Sequence, residues 1–199
     1  WEKKGGAATY AAEDGAIVGT SAPNTPNTFL CTEKKYGDFV LTYEYKVDDE
    51  LNSGVQFRSE CYDEDTTVER DGKEKNFPAG RVHGYQAEID PNKPERLWSA
   101  GIYDEGRRAW IYPGTLGGDG KEFTRVGKAA FKPGDWNSVK IVCKGTHIQT
   151  WLNGHARADF HDDATLKGFI ALQVHGVGGR TEPLQVRFRK LMLEELAAE

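Results

Sequence analysis

The residues best equipped for chemistry in this 199-residue chain are carboxylates, amides, one arginine and one histidine set at alternate positions of extended segments. They are Glu44, Gln56, Arg58, Gln86, Glu88, Asp90, Gln173 and His175. Such side chains form paired hydrogen bonds with hydroxyl groups, and the carboxylates and imidazole can also carry protons. A purely solvated face would be richer in Lys, Glu, Thr and Ser. Tyr103, Trp98, Trp110 and Trp151 add flat apolar surfaces. Sugars present polar rims and apolar C–H faces, so the mixture points to a carbohydrate ligand. Glu88 and Asp90 stand two apart, which on a strand separates their Cα atoms by roughly 6.5–7 Å. That is close to the ~6.5–9.5 Å carboxyl spacing of inverting glycosidases. Singly, each residue has a plainer role: Arg58 in a cross-strand ion pair with Glu44 or Glu88, His175 as a satisfied structural histidine, the aromatics as core. Their collection on one face carries the functional reading.

The elements that must gather them are strands. Phe39–Val47 alternates strictly, with Phe39, Leu41, Tyr43, Tyr45 and Val47 on one face and Glu44 on the other. Val55–Arg58 turns Val55 and Phe57 inward and Gln56 and Arg58 outward. Tyr85–Asp90 does the same with Gln86, Glu88 and Asp90 outward, and Phe169–His175 with Gln173 and His175 outward. Gly145-Thr146 and Asn153-Gly154 are hairpin turns between further strands over 139–144, 148–152 and 157–160, and Gln185–Leu193 closes the series. Helical signals are poor: Asp104–Ala109 suggests one turn, and the tail 194–199 a short or fraying helix. Many short strands with turns between them predict an all-β sandwich or barrel.

Length fits one β-sandwich domain over 1–199 better than two small ones, and is large enough for a core without metal or disulfide staples. The polar, aperiodic stretch Ser59–Arg81 reads as an insertion loop, either a lid over a site or a surface excursion, and Gly114–Lys121 as a second loop. A net charge of −5 argues against general nucleic-acid binding. No apolar run approaches the ~18 residues of a membrane span. Cys31, Cys61 and Cys143 lack zinc-site spacing and read as buried small hydrophobes, with a Cys31–Cys61 bridge left open.

Several segments together resemble the 3-keto-disaccharide hydrolase family of the concanavalin A-like superfamily. The run 36–41 (YGDFVL), Glu44-Tyr45-Lys46 and 52–58 (NSGVQFR) resemble its start; 84–90 (GYQAEID) and Gly101-Ile102-Tyr103 its middle; Trp136-Asn137, Leu152-Asn153-Gly154, 168–175 (GFIALQVH) and Val186-Arg187-Phe188-Arg189 its end. Each motif is short, but their order and spacing are specific. The family's customary Phe-Asp-Gly opening is missing. The resemblance implies a concanavalin A-like jelly roll of two antiparallel sheets with a concave groove. It also implies a secreted or periplasmic bacterial protein, its signal segment outside this sequence, acting on glycosides oxidised at C3.

On such a substrate the ketone acidifies the C2 hydrogen, a base removes it, the C1 substituent leaves, and water adds to the product. That chemistry assigns Glu88 or His175 as base, Arg58 to the developing negative charge, and Glu44 or Asp90 as acid or positioning group. Gln56, Gln86, Tyr103, Trp110 and Gln173 would hold the sugar. No cofactor is required. A divalent cation in place of Arg58 would take Glu88, Asp90 and His175 by ligand type, without support from spacing. Direct hydrolysis of unoxidised glycans fits less well, because Glu88-Ile89-Asp90 is only part of the jelly-roll glucanase pattern. The competing class is a non-catalytic carbohydrate-binding module, lectin-like or laminin-G-like, built on the same groove.

Overall fold

The structure is a computed structural model that describes residues 1–70 and 72–197. The first strands are β1 (Glu2–Gly5), β2 (Thr9–Glu13), β3 (Ala16–Thr20), β4 (Thr28–Cys31), β5 (Phe39–Val47) and β6 (Ser53–Glu60). They are followed by β7 (Thr66–Arg70), β8 (Lys73–Phe77), β9 (His83–Ile89), β10 (Ile102–Glu105) and β11 (Ala109–Tyr112). Helix α1 (Gly120–Ala130) precedes β12 (Asn137–Lys144), β13 (His147–Leu152), β14 (His155–His161), β15 (Phe169–Val174) and β16 (Gln185–Glu195). Two seven-stranded antiparallel sheets stack as a jelly-roll sandwich. The first runs β1-β4-β15-β6-β9-β10-β11 and the second β14-β13-β12-β5-β16-β3-β2.

Alternation dictates which faces meet. β5 buries Phe39, Leu41, Tyr43, Tyr45 and Val47 and leaves the residues between them half-buried. Opposite, Val55, Phe57, Tyr85, Ala87, Ile89, Ile170, Leu172 and Val174 complete one core with Phe188 and Ile141. Each Val, Leu, Ile or Phe among them gains about 1.5–3 kcal/mol from burial. The hairpins at Gly145 and at Asn153-Gly154 form as the turn residues require, with Gly145, Asn153 and Gly154 all at positive φ.

Three features depart from the pattern expected of the sequence. First, α1 begins inside a stretch expected to be a glycine-rich loop. Asp119 caps it by accepting from the Glu122 amide at 2.7 Å, and Phe123, Gly127 and Ala130 seat it. Second, the expected loop Ser59–Arg81 contains a separate hairpin, β7–β8. Third, the tail is strand to Glu195, where an extended edge pairs with β5; the last two residues lie outside those described. The three cysteines are free thiols, with Cys31 and Cys61 meeting in a small second cluster with Phe29, Val82, Phe169 and Ala171.

Candidate functional site

The outward face of the first sheet carries the candidate site. Register sets Gln173, Gly54 and Glu88 in one row across β15, β6 and β9. The adjacent row holds Gln56, Gln86, Tyr103 and Trp110 across β6, β9, β10 and β11. Around these rows lies a cleft of about 290 Å³, near the lower end of small-molecule pockets (~300–1,000 Å³). Gln86, Glu88, Tyr103, Trp110, Gln173 and His175 line it, as the sequence reading expects. Asn27, Asn52, Arg96 and Glu105 also line it and were not singled out from sequence.

Glu88 is a buried carboxyl on the cleft. Its carboxyl accepts from Asn52 Nδ2 and from Gln86 Nε2, each at 2.6 Å. Burial pushes its pKa up to about 8, against the pull of those two donors and with help from the nearby carboxylates Asp90 and Glu105. Gln86 Oε1 in turn accepts from Gln56 Nε2 at 2.7 Å, and Gln56 Oε1 from the Ser59 hydroxyl at 2.7 Å. Gln56 therefore sits beneath the cleft as a support, without lining it. Gln173 is fully buried, and among the described residues neither atom of its amide has a hydrogen-bond partner. His175, just past β15, donates from Nδ1 to the Gly176 carbonyl at 2.8 Å, which makes Nε2 the basic nitrogen.

Four expected site residues need correction. Arg58 does not face the cleft. It sits at a β-bulge with φ 45°, where the register slips between Phe57 and Glu60, so the period of two breaks at that residue. Its fully buried guanidinium ties together the two sheets, donating to the Gly37 carbonyl, the Gly145 carbonyl and Asp38 at 2.7–2.8 Å. Glu44 lies on the second sheet, where it accepts from Arg189 at 2.6 Å and Lys190 at 2.9 Å. Asp90 lies just beyond β9 and outside the cleft lining; it is fully buried and bound by Arg96 Nε at 2.8 Å. Gln56 is the supporting amide already described. Trp151 also belongs elsewhere, on the second sheet beneath Lys140.

The cation that does reach the cleft is Arg96. Its guanidinium lies 4.8 Å from the ring centroids of both Trp98 and Trp110, while Asp90 fixes its Nε. Arg96 lies in the connection between β9 and β10, where no periodicity betrays orientation. Asn52 entered the sequence analysis only within the run 52–58, with no role of its own. Glu105 is two residues beyond Tyr103 on the same strand face, a signal alternation could have supplied. Among the described residues, no group of three His, Cys, Asp or Glu side chains is arranged to hold a metal ion, so Glu88, Asp90 and His175 do not form the cation site considered from their types.

A jelly-roll sandwich with a polar cleft on one sheet face defines the general class. More particularly, the chain matches the 3-keto-alpha-glucoside-1,2-lyase-like domain over residues 1–194 and belongs to that family. Its function is carbohydrate-related. Among solved structures it is similar to a Bacillus subtilis protein of unknown function with a galectin-like fold, at TM-score 0.66 and 13% identity, over 100% of this chain and 90% of that one. It is similar to the carbohydrate-binding module CBM66 of Bacillus subtilis, at TM-score 0.58 and 14% identity, over 98% of both chains. The alginate lyase AlgAT5 of polysaccharide lyase family 7 shares the architecture at TM-score 0.50 and 11% identity, over 94% of this chain and 82% of that one. No curated protein matches the chain. Among the described residues, no helix is long and apolar enough to cross a membrane.

Proposed function

We propose that the cleft cleaves glycosides carrying a ketone at C3 by elimination across C1–C2, followed by addition of water. The observation that carries this reading is Glu88, a buried carboxyl on the cleft whose pKa is held near 8. A base of that strength is matched to a carbon acid made labile by an adjacent ketone. Ionised Glu88 takes the C2 hydrogen as a proton. The C–H electron pair passes into an enolate with its charge on the C3 oxygen, then returns to form the C1–C2 double bond as the C1–O bond breaks toward the departing alcohol. Arg96 replaces Arg58 as the group facing the charge that develops on the C3 oxygen. The departing oxygen takes up a proton, which His175 is placed on the cleft to relay. Water then adds at C1 and a proton returns to C2, so the sum is hydrolysis. Trp110 and Tyr103 offer apolar faces to a sugar ring, and the unmet amide of Gln173 offers a donor and an acceptor to its hydroxyls. A protein with this activity would meet its sugars outside the cytoplasm, as a single domain spanning 1–199.

Incubation with a 3-keto-glucoside and, separately, with unoxidised disaccharides tests the reading. Release of the aglycone from the keto substrate alone, lost in Glu88→Gln and Arg96→Met, is expected. A second reading, a carbohydrate-binding domain without turnover, draws on the departure of Arg58 and Glu44 from the cleft. Micromolar binding of plain sugars with no product from either substrate would establish it.

A further inference from the structure

The donors around Glu88 form a chain that runs in one direction. The Ser59 hydroxyl donates to Gln56 Oε1, Gln56 Nε2 to Gln86 Oε1, and Gln86 Nε2 to Glu88 Oε2, at 2.7, 2.7 and 2.6 Å. Every link is at least nine-tenths buried: Ser59 and Gln56 at 0% exposure, Gln86 at 2% and Glu88 at 6%. Two glycines make room for it. A Cβ on Gly54 would stand 2.5 Å from Gln86 Cδ, and one on Gly84 2.4 Å from Ser59 Oγ.

In this direction the chain delivers a donor to an ionised carboxylate. A protonated Glu88 instead has a hydrogen to give, and an amide N–H facing it would leave two donors opposed. Primary amides resolve this conflict without moving heavy atoms, because turning a glutamine amide by half a turn exchanges oxygen and nitrogen. With both amides turned, Glu88 O–H donates to Gln86 Oε1, Gln86 Nε2 to Gln56 Oε1, and Gln56 Nε2 to Ser59 Oγ. The Ser59 hydrogen then needs a new acceptor, and two stand ready: the carbonyls of Phe57 at 3.1 Å and Tyr85 at 3.2 Å. Asn52 Nδ2 serves the other carboxyl oxygen in both states.

We propose that the Ser59–Gln56–Gln86 chain reverses its hydrogen-bond direction each time Glu88 gains or loses a proton, so that the buried carboxyl is fully bonded as both base and acid. Ser59, Gln56 and Gln86 are thus positioning residues. Their arrangement removes the penalty that a buried, unpaired donor or acceptor would otherwise impose on one protonation state. The inference takes its chemical meaning from the proposed elimination, in which Glu88 must accept a proton and later return it; its test does not need turnover. Other titratable and charged groups stand around Glu88, of which Asp90 and Glu105 raise its pKa. Asp90 lies two residues along its own strand segment, Tyr103 and Glu105 come from β10, Arg96 from the connection after β9, and His175 from beyond β15.

The experiment follows side-chain NH₂ resonances of Gln56 and Gln86 and the Glu88 carboxyl carbon by NMR from pH 5 to 10. The expected result is that Gln56, which does not touch Glu88, shifts with the same midpoint as the Glu88 carbon. In Glu88→Gln, whose own amide donates toward Gln86, the Gln56 resonance should stay at its low-pH position throughout. A Gln56 resonance that stays flat while Glu88 titrates overturns the proposal, as does a Glu88 carbon that never titrates in this range. A reversing chain in a protein that turns over no keto-glycoside would leave this inference standing and sink the proposed reaction alone.

Discussion

Gln86 lies flat across Gly54, so close that a Cβ on Gly54 would stand 2.5 Å from both Cδ and Cγ of Gln86. The absence of a side chain on β6 is therefore what lets an amide from β9 lie in the sheet's outward face and reach Glu88. Gly54→Ala should displace Gln86, cost about 1–3 kcal/mol of stability, and raise the Glu88 pKa by removing a donor to its anion. Thermal unfolding and a pH titration of the variant would check both effects together. An unchanged titration would show that Gln86 has little hold on Glu88.

Glu88 itself imposes a pH dependence on folding. Its pKa rises from the ordinary carboxylate value of 4.5 to about 8 on folding. The native state thus binds this proton more tightly than the unfolded chain does. The associated stability is fully present at acidic pH and is lost as pH climbs through that window, a loss of order 3–5 kcal/mol. Glu88→Gln has no such loss. Its stability relative to the parent should grow between pH 5 and 8 and level off above, as measured by denaturant unfolding at each pH.

The same titration should shape activity. If ionised Glu88 is the base, kcat/KM for a 3-keto-glucoside rises with pH toward a midpoint near 8. A profile that falls through that midpoint would instead make Glu88 the proton donor.

Arg58 and Arg96 divide between them what the sequence reading gave to one residue. Arg58→Met should cost about 3–5 kcal/mol, because Asp38 and two carbonyls lose a buried cation. Folded protein that survives should keep most of its turnover. Arg96→Met should also cost about 3–5 kcal/mol, because fully buried Asp90 loses its cation, but unlike Arg58→Met it should lower kcat of the folded protein by two to three orders of magnitude, the size seen when one charge-stabilising donor is removed. Circular dichroism melts beside single-turnover assays distinguish the two patterns.

Glu44 offers a control. Its carboxylate is held below the usual range by Lys190 and Arg189 on the second sheet. Glu44→Gln should change stability by less than about 1 kcal/mol and leave keto-glucoside turnover at the parent level.

Much of the architecture was legible from periodicity alone. Strict alternation in β5 named its buried face, and Tyr85, Ala87 and Ile89 were correctly turned inward, which brought Gln86 and Glu88 out together. Helix α1 was missed although Asp119 and Glu122 form a capping signal, since the glycines before it read as loop. Arg58 was misplaced because alternation predicts orientation only while the register holds, and one bulge residue at positive φ rotated its side chain to the other side of the sheet. Glu44 was misplaced for a different reason: its outward orientation was right, but each sheet of a sandwich has its own outward face.

By itself the chain's sequence determined that strands would form, which residues they would bury, and that Glu88, Gln86 and Gln173 would emerge opposite the core, because side-chain direction along a strand is a local property of the backbone. Which strands became neighbours, which sheet each joined, and which cation came to line the cleft were decided only by tertiary structure. Pairing, bulges and the path of a connection such as 91–101 arise from contacts between residues distant in sequence, and no local pattern encodes them.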